Sequence, residues 1–361
     1  MQTISKQQPG LFDYELRVEA LKQQGYPLDK LNQRIDWEEF RKELSKVFCK
    51  SSKGPGGRPR FDIVFMFKVL VIQRYYNLSD EQLEFQINDR VSFQDFLKIS
   101  LADKVPDAKT VWEYREELVK ARVFEKLFEQ FKEKLKESGL MGEEGKMVDA
   151  SFVEVPIQRN SREENKEIKE GKVPAEFEAN EHKKRQKDVD ARWTKKNNQS
   201  YYGYKNHIKA TRKHKLIEDY EVTDASVHDS QELDNLVKEG DGEVHADSAY
   251  ASEEIKEVFK KKGLKYRIHK RAYRNRPLSD ADKAENRQKS KIRARVEHIF
   301  GHMTNSLSRG LDLRYIGKQR IKAMVGFTNL LYNMCRYEQI QRLGLAWVWD
   351  YEDWSKNLSQ M

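Results

Sequence analysis

The spacing of hydrophobic residues along the chain changes near residue 143. Before this point, apolar residues recur every three or four positions, as they do in amphipathic helices. After it, short runs rich in valine, isoleucine and aromatic residues alternate with helical segments. The pattern predicts an all-α N-terminal part followed by an α/β domain, in which a mixed sheet is flanked by helices.

The N-terminal part divides into two predicted segments. Residues 1–60 contain polar helices and close with the basic loop SSKGPGGRPR, whose glycines and prolines break helical structure. Residues 61–142 contain several short helices, which favour a helix-turn-helix-like DNA-binding domain, although any small helical bundle has this pattern. Two capping boxes predict helix starts in this segment: Ser79 with Gln82, and Thr110 with Glu113.

The α/β domain is predicted to span residues 143–340, with a tail at 341–361. A sheet of five strands is predicted at residues 146–155, 201–211, 216–225, 242–247 and 265–269. Helices are predicted at residues 230–239, 252–262, 279–306 and 321–340. Residues 158–199 form a charged insertion with almost no apolar content, which predicts a mobile or partly disordered segment.

The charge balance narrows the range of partners. Lys and Arg number 68 against 59 Asp and Glu, and the net charge of +9 favours a polyanion, nucleic acid before an anionic membrane. A solvated, charge-rich surface explains the same balance. The two cysteines show no metal-ligand spacing, and the most apolar stretch, 61–78, is too short and too charged to span a bilayer. We therefore expect a soluble, cytoplasmic protein without a membrane partner.

Three acidic residues stand where a carboxylate needs a specific partner. Asp149 interrupts the apolar strand MVDASFV, Asp247 ends the strand EVHAD, and Glu297 lies on the long predicted helix. Burying an unpaired charge is costly, and a divalent cation offsets that cost because Mg²⁺ and Mn²⁺ prefer carboxylate oxygens. The acids come from the first strand, the fourth strand and a helix after the fifth. That order is the topology of an RNase H-like nuclease core, in which strands one and four are neighbours.

Each acid also has an ordinary structural interpretation. Asp149 can cap a turn or pair with an arginine, and Asp247 can be the N-cap of the next helix. Glu297 has Arg293 four residues before it, which is the spacing of a helical ion pair. The metal hypothesis therefore depends on the three acids as an ordered set.

The three acids belong to a longer ordered series of sequence motifs. Its six blocks are PDAKTVWEYREEL (106–118), MVDASFVEVP (147–156), YYGYKNHI (201–208), VTDASVHDSQELDNLV (222–237), VHADSAYAS (244–252) and ARVEHIFGHM (294–303). Through them the chain resembles bacterial DDE transposases of the insertion-sequence-five family over almost its whole length. The resemblance implies that Asp149, Asp247 and Glu297 hold two catalytic Mg²⁺ ions, for which Mn²⁺ can substitute. It also implies transposition between terminal inverted repeats of double-stranded DNA in a bacterial, nucleoid-associated protein. Because two ends must be brought together, we expect a homodimer.

The chain departs from the family pattern around two of the acids. The family commonly has Lys-Gly after the second acid, where this chain has Ser248 and Ala249. On the long helix, the family's Tyr and Lys correspond to Ser290 and Thr304, whereas Arg293 matches the expected Arg. These departures affect the expected DNA contacts on that helix and leave the three acids unchanged.

Basic and aromatic residues near these motifs are candidate DNA contacts. They are Arg58, Arg60, Lys109, Trp193, Lys205, His207, Lys270, Arg271, Arg274, Arg276, Arg293 and Arg295. Trp193 either stacks on an unpaired base or packs the insertion onto the domain. Arg293 and Arg295 either grip phosphates or balance the charge of the acids. His228 and Asp229 either support the metal site from behind its ligands or cap the following helix.

Two other functions are compatible with part of this pattern. A former transposase retained as a DNA-binding regulator would keep the helical domain and have no need of three acids. A different RNase H-like nuclease would keep the acids and have no need of the helical domain. Cleavage at defined inverted repeats followed by strand transfer distinguishes an active transposase from both.

Overall fold

The computed structural model describes residues 10, 12–48, 59–142, 145–155, 158–196, 198–272, 277–307 and 311–345. By its internal contacts the chain divides into two compact units, Met1–Ala121 and Arg122–Met361. The apolar pattern of the sequence predicts this boundary later, at residue 142. The helix Val123–Glu137 packs against the helix Lys318–Arg342, and this contact assigns it to the second unit.

The described part of the first unit is helical, as the sequence predicts. Its helices are α1 (Asp13–Gln24), α2 (Pro27–Arg34), α3 (Arg41–Phe48), α4 (Ile63–Tyr76), α5 (Asp80–Asp89), α6 (Val91–Leu97) and α7 (Ala108–Lys120), with a 3₁₀ helix at Trp37–Phe40. Helix α4 is apolar on nearly every side, and Phe67 near its centre is fully buried against the rings of Trp37 and Phe40. A helix that is hydrophobic all round is a core helix, so α4 forms the centre of this unit.

One of the two predicted capping boxes forms and the other does not. At the start of α5, the Ser79 hydroxyl accepts from the Gln82 amide and the Gln82 side chain accepts from the Ser79 amide, as predicted. At α7 the prediction is wrong, because Asp107 caps the helix instead and its carboxylate accepts from the Thr110 amide at 2.7 Å. Thr110 is therefore the third residue of α7 and not its cap.

The second unit contains six strands and eight helices among its described residues. The strands are β1 (Lys146–Glu154), β2 (Arg192–Lys196), β3 (Gln199–Thr211), β4 (Ile217–Asp224), β5 (Glu243–His245) and β6 (Lys265–Tyr266). The helices are α8 (Val123–Glu137), α9 (Arg162–Lys169), α10 (Ala175–Ala179), α11 (Glu181–Gln186), α12 (Leu233–Leu236), α13 (Glu253–Lys261), α14 (Asp280–Asn305) and α15 (Lys318–Arg342). Two 3₁₀ helices lie at Asp229–Glu232 and Ser248–Tyr250.

The strands form one mixed sheet in the order β2-β3-β1-β5-β6. Strand β1 is antiparallel to β3 and parallel to β5, while β4 pairs with β3 beyond the segment that pairs with β2. The parallel pairing of β1 with β5 confirms that the first and fourth predicted strands are neighbours. The sheet and its helices form the predicted RNase H-like fold, with six strands where the sequence predicts five.

The additional strand, β2, lies inside the segment predicted to be mobile or partly disordered. That prediction is wrong for the described residues of the insertion, which form α9, α10, α11 and β2. Asp188 explains the order, because its carboxylate accepts from the Tyr204 hydroxyl at 2.8 Å, the Ala191 amide at 3.0 Å and the Gly317 amide at 2.9 Å. The insertion is anchored mainly by buried polar groups, which an apolar pattern does not reveal.

The two faces of the sheet are covered by different helices. On one face, Val148 of β1 belongs to a hydrophobic cluster with Leu236 of α12 and Phe259 of α13. On the other face, Asn206 of β3 donates to Asn329 of α15 at 2.9 Å. Helix α14 packs against β1 and β5 and contacts α15. Within the described residues, no helix is long and apolar enough to cross a membrane.

Candidate active site

The three acidic residues lie on elements that pack together. Asp149 is in the middle of β1, Asp247 follows β5 by two residues, and Glu297 is on α14, which packs on both strands. Asp247 is also the N-cap of the 3₁₀ helix Ser248–Tyr250, since its carboxylate accepts from the Ser248 amide at 2.6 Å. The capping interpretation of Asp247 is therefore realised, and the same oxygen, Oδ1, also faces Arg293 of α14 at 3.6 Å.

All three carboxylates converge on the guanidinium of Arg293. Its Nη1 lies 3.6 Å from Asp247 Oδ1, and its Nη2 lies 3.9 Å from Asp149 Oδ2 and 3.5 Å from Glu297 Oε1. The helical ion pair expected between Arg293 and Glu297 is present, but the same guanidinium also serves both aspartates. Of the two interpretations of Arg293, these contacts match a charge balance for the acids, and nothing in the sequence indicated that one guanidinium serves all three.

Burial differs strongly among the three acids. The Asp149 side chain is 14% exposed, Asp247 is 35% exposed and Glu297 is 61% exposed. Burial raises the pKa of Asp149 to about 6, while the Ala150 amide and the Arg293 charge act in the opposite direction. The site is therefore closed at β1 and open to solvent at α14, and the charge of Asp149 is only partly compensated.

Tyr250 is a buried residue of the site that sequence reasoning missed. Its side chain is 1% exposed, and its hydroxyl has no hydrogen-bond partner among the described residues. Burial raises the pKa of Tyr250 well above its ordinary value, and the charges of Asp149, Asp229 and Asp247 raise it further. The hydroxyl therefore lies close to the acids as an available donor. Its place inside the block VHADSAYAS was the only signal in the sequence.

The donor set suits a divalent cation, although the acids are not drawn into a closed cluster. Carboxylate oxygens are the ligands that Mg²⁺ and Mn²⁺ prefer, and a positive group is already accommodated among them in the form of the Arg293 guanidinium. No group of three or more His, Cys, Asp or Glu side chains in the described part of the chain is arranged to hold a metal ion as it stands. The three carboxylates and their negative charge fit a divalent metal ion, and the Arg293 guanidinium now lies between these candidate ligands.

Lys205 and His207 do not face the acids. His207 pairs with Ala150, the residue after Asp149, and Lys205 follows the same alternation two residues away. Residues paired across antiparallel strands point the same way, and neighbours along a strand point to opposite faces. Both side chains therefore lie on the face of the sheet opposite Asp149.

The surroundings of these two residues explain their real roles. The Lys205 ammonium donates to Asp229 Oδ1 and to the Val227 carbonyl, each at 2.7 Å. His207 is 0% exposed, and its Nε2 lies 2.8 Å from the Thr223 hydroxyl. Their assignment as DNA contacts is corrected accordingly, because one holds the loop before α12 and the other lies in the core.

The burial of His207 predicts an acid sensitivity of folding. Burial lowers the pKa of His207 to about 4 from its ordinary 6.5; the charge of Asp229 acts against this shift and that of Lys205 acts with it. Between these two values the unfolded chain binds a proton that the folded chain does not, so stability falls as the pH falls from 6.5 toward 4. We expect the melting temperature to fall less for His207→Gln than for wild type when the pH is lowered from 7 to 5. Equal losses in the two proteins would contradict the prediction.

His228 and Asp229 lie at the start of the 3₁₀ helix Asp229–Glu232. The His228 side chain accepts from the Ser230 amide as the N-cap, and Asp229 pairs with Lys205. The charge of Asp229, like those of Asp149 and Asp247, raises the pKa of Tyr250. Any support of the site by His228 and Asp229 remains a prediction.

Trp193 packs the insertion onto the domain. It lies on β2, its indole Nε1 donates to the Asn160 carbonyl at 2.9 Å, and its ring lies 5.0 Å from that of Tyr202. The Arg159 guanidinium lies 5.8 Å from the ring centre. Of the two interpretations of Trp193, these contacts favour packing over base stacking.

The other candidate DNA contacts are distributed over both units. Arg60 and Lys109 have side chains 71% and 82% exposed, with weak ion pairs of 3.8 Å to Glu117 and Glu113. Lys270 bonds Asp282 and Glu285 at 2.7 Å each and so ties the preceding loop to α14, while Arg271 is exposed. Arg295 donates to the Lys213 carbonyl at 3.1 Å. Arg58, Arg274 and Arg276 lie outside the described residues.

An RNase H-like sheet with acids on β1, after β5 and on α14 is the arrangement that the resemblance to DDE transposases implies. Comparison with family models agrees with this class: residues 141–334 match the transposase DDE domain, and residues 16–117 match the transposase domain DUF772. The chain belongs to the transposase DDE domain family and is a DDE transposase. No solved structure matches the chain.

Proposed function

We propose that this transposase, of the insertion-sequence-five group, binds the terminal inverted repeats of an insertion sequence and hydrolyses the phosphodiester bonds at its ends. The same site then joins each 3′-hydroxyl to target DNA. The observation that carries the proposal is the convergence of Asp149, Asp247 and Glu297 on one guanidinium within the matched DDE domain.

The proposed roles follow from charge and position. Asp149, Asp247 and Glu297 would hold two Mg²⁺ ions, with Mn²⁺ as a substitute. When bound, such ions stabilise the attacking and leaving oxygens of an in-line phosphoryl displacement. Asp149 is fixed by β1 and is the least exposed acid, whereas Glu297 lies on the solvent side where DNA would enter. Arg293 lies between them and is placed to neutralise a phosphate beside the scissile bond.

DNA would also be held by further basic residues. We assign this role to Arg60, Lys109 and Arg271, together with Arg58, Arg274 and Arg276. Such contacts to the phosphate backbone position a duplex without reading its sequence. Two ends must be processed together, so we propose a homodimer acting on bacterial nucleoid DNA.

The test is cleavage of a duplex that carries the terminal repeat of the element. Purified protein is incubated with this duplex and a target plasmid, with Mg²⁺, with Mn²⁺ or with EDTA, and a duplex of scrambled sequence is the control. We expect cuts at the repeat boundary, then joined products, only with a divalent ion and only with the repeat. Binding without cleavage would favour a regulator, and cleavage without joining would favour another RNase H-like nuclease.

A further inference from the structure

Arg293 is held by its three acids in an unusual way. Its contacts to Asp149, Asp247 and Glu297 measure 3.5 to 3.9 Å, which is the range of ion pairs and beyond the usual length of a charged hydrogen bond. Its Nε is buried without a hydrogen-bond partner. The guanidinium therefore balances the charge of several carboxylates and is not bound tightly to any one of them.

A structural arginine in the same chain shows the contrast. Arg115, on α7, donates to Asp80 from Nη1 at 2.6 Å and from Nη2 at 2.9 Å, and the Arg115 side chain is 5% exposed. Such a two-point geometry is the strong form of an arginine–carboxylate contact. Arg293 has three acids within reach and forms that geometry with none of them, which makes it easier to displace.

Positive charge near the acids is limited among the described residues. One guanidinium contacts all three carboxylates, Lys196 adds a weaker attraction to Asp149, and Asp149 is buried at 14% exposure. A group with two positive charges at the same place would balance the acids better than Arg293 does.

We propose that Arg293 is a resident counter-cation of the three acids, which keeps them together before metal binds and gives way when a divalent ion takes its place. The displaced guanidinium stays beside the site on α14, where it is free to bind a DNA phosphate. Arg293 is thus a positioning residue that couples metal loading to phosphate binding. The inference rests on the proposed metal-binding function of the acids.

The test compares metal binding in wild type, Arg293→Gln, Arg293→Lys and Arg287→Gln. Arg287 is exposed on the same helix and carries no ion pair among the described residues, so its variant matches the charge change of Arg293→Gln. Mn²⁺ affinity is measured on the full chain by electron paramagnetic resonance of the free ion, and the melting temperature is measured with and without Mn²⁺.

Removing the competing charge is expected to raise Mn²⁺ affinity about tenfold in Arg293→Gln, since a unit charge acts strongly at about 4 Å. Arg293→Lys and Arg287→Gln are expected to stay near wild type. Without metal, Arg293→Gln should melt at least about 2 °C below wild type, because the acids lose their counter-cation, and it should gain more from Mn²⁺. Unchanged or weaker Mn²⁺ binding by Arg293→Gln would overturn the inference.

Two further measurements keep the outcomes separate. The proposed metal site itself fails if wild type binds no Mn²⁺, or if Asp149→Ala binds as much Mn²⁺ as wild type. Either result is independent of the role of Arg293. If Arg293→Gln does not fold, the Nε–H signal of Arg293 is followed by NMR in wild type during Mg²⁺ titration. The inference requires that this signal shifts with the midpoint of metal binding, and a signal that stays constant at saturation contradicts it.

Discussion

Replacing any one of the three acids by alanine is expected to lower the rate of DNA-end cleavage by about 10²–10³-fold or more, with binding of the end duplex retained. Asp149, Asp247 and Glu297 come from three different elements, so the loss of each removes a different side of the site. The measurement is single-turnover cleavage of a terminal-repeat duplex, with binding followed separately by gel shift in Ca²⁺.

The matched control for these variants is Asp280→Ala. Asp280 is also a carboxylate on α14, but its side chain is 99% exposed and its contact is an ion pair with Lys283. We expect this variant to cleave at the wild-type rate. The assignment of an acid fails if its alanine variant folds, binds the duplex and cuts as fast as Asp280→Ala.

A second large effect, on the free energy of unfolding, is expected from removing the buried charge of Lys209. The Lys209 side chain on β3 is 0% exposed, and its ammonium lies 3.0 Å from Asp241, 3.1 Å from Asp219 and 3.7 Å from Glu218. Removing one partner from a buried ionic group leaves the others uncompensated and costs about 3–5 kcal/mol. Lys209→Ala should therefore lower the free energy of unfolding by about that amount, measured by urea denaturation.

Lys238 provides the comparison, because it pairs with the same carboxylate from the surface. Its ammonium lies 2.9 Å from Asp219, yet its side chain is 59% exposed. An exposed ion pair contributes about 0–1 kcal/mol, so Lys238→Ala should change stability little. Equal effects of the two variants would show that the buried network around Lys209 is not what stabilises this end of the sheet.

The regular elements were predictable because their apolar periods are strong. The long helix expected at 279–306 is α14, Asp280–Asn305, and the helix expected at 321–340 is the core of α15, Lys318–Arg342. The neighbouring position of the first and fourth strands also followed from the order of elements. The likeness of that order to an RNase H-like core placed Asp149 on one of these neighbouring strands and Asp247 at the end of the other; in the structure Asp247 lies two residues after β5.

The missed features depend on side-chain partners or on strand register. Asp188 orders the insertion through hydrogen bonds, and nothing in its local sequence marks it as a buried hub. Lys205 and His207 were placed on one face correctly, but which face depends on the pairing of β3 with β1. A shift of one residue in that pairing would turn both toward Asp149, and local sequence does not define register to one residue.

The central position of β1 has a consequence for the timing of activity during synthesis. β1 pairs with β3 and β5, and its acid meets residues of α14 that leave the ribosome much later. Contacts between distant segments form only after the whole intervening chain is available. A nascent chain therefore completes its helical N-terminal unit before the three acids can meet, and the proposed site can form only after α14 has been synthesised.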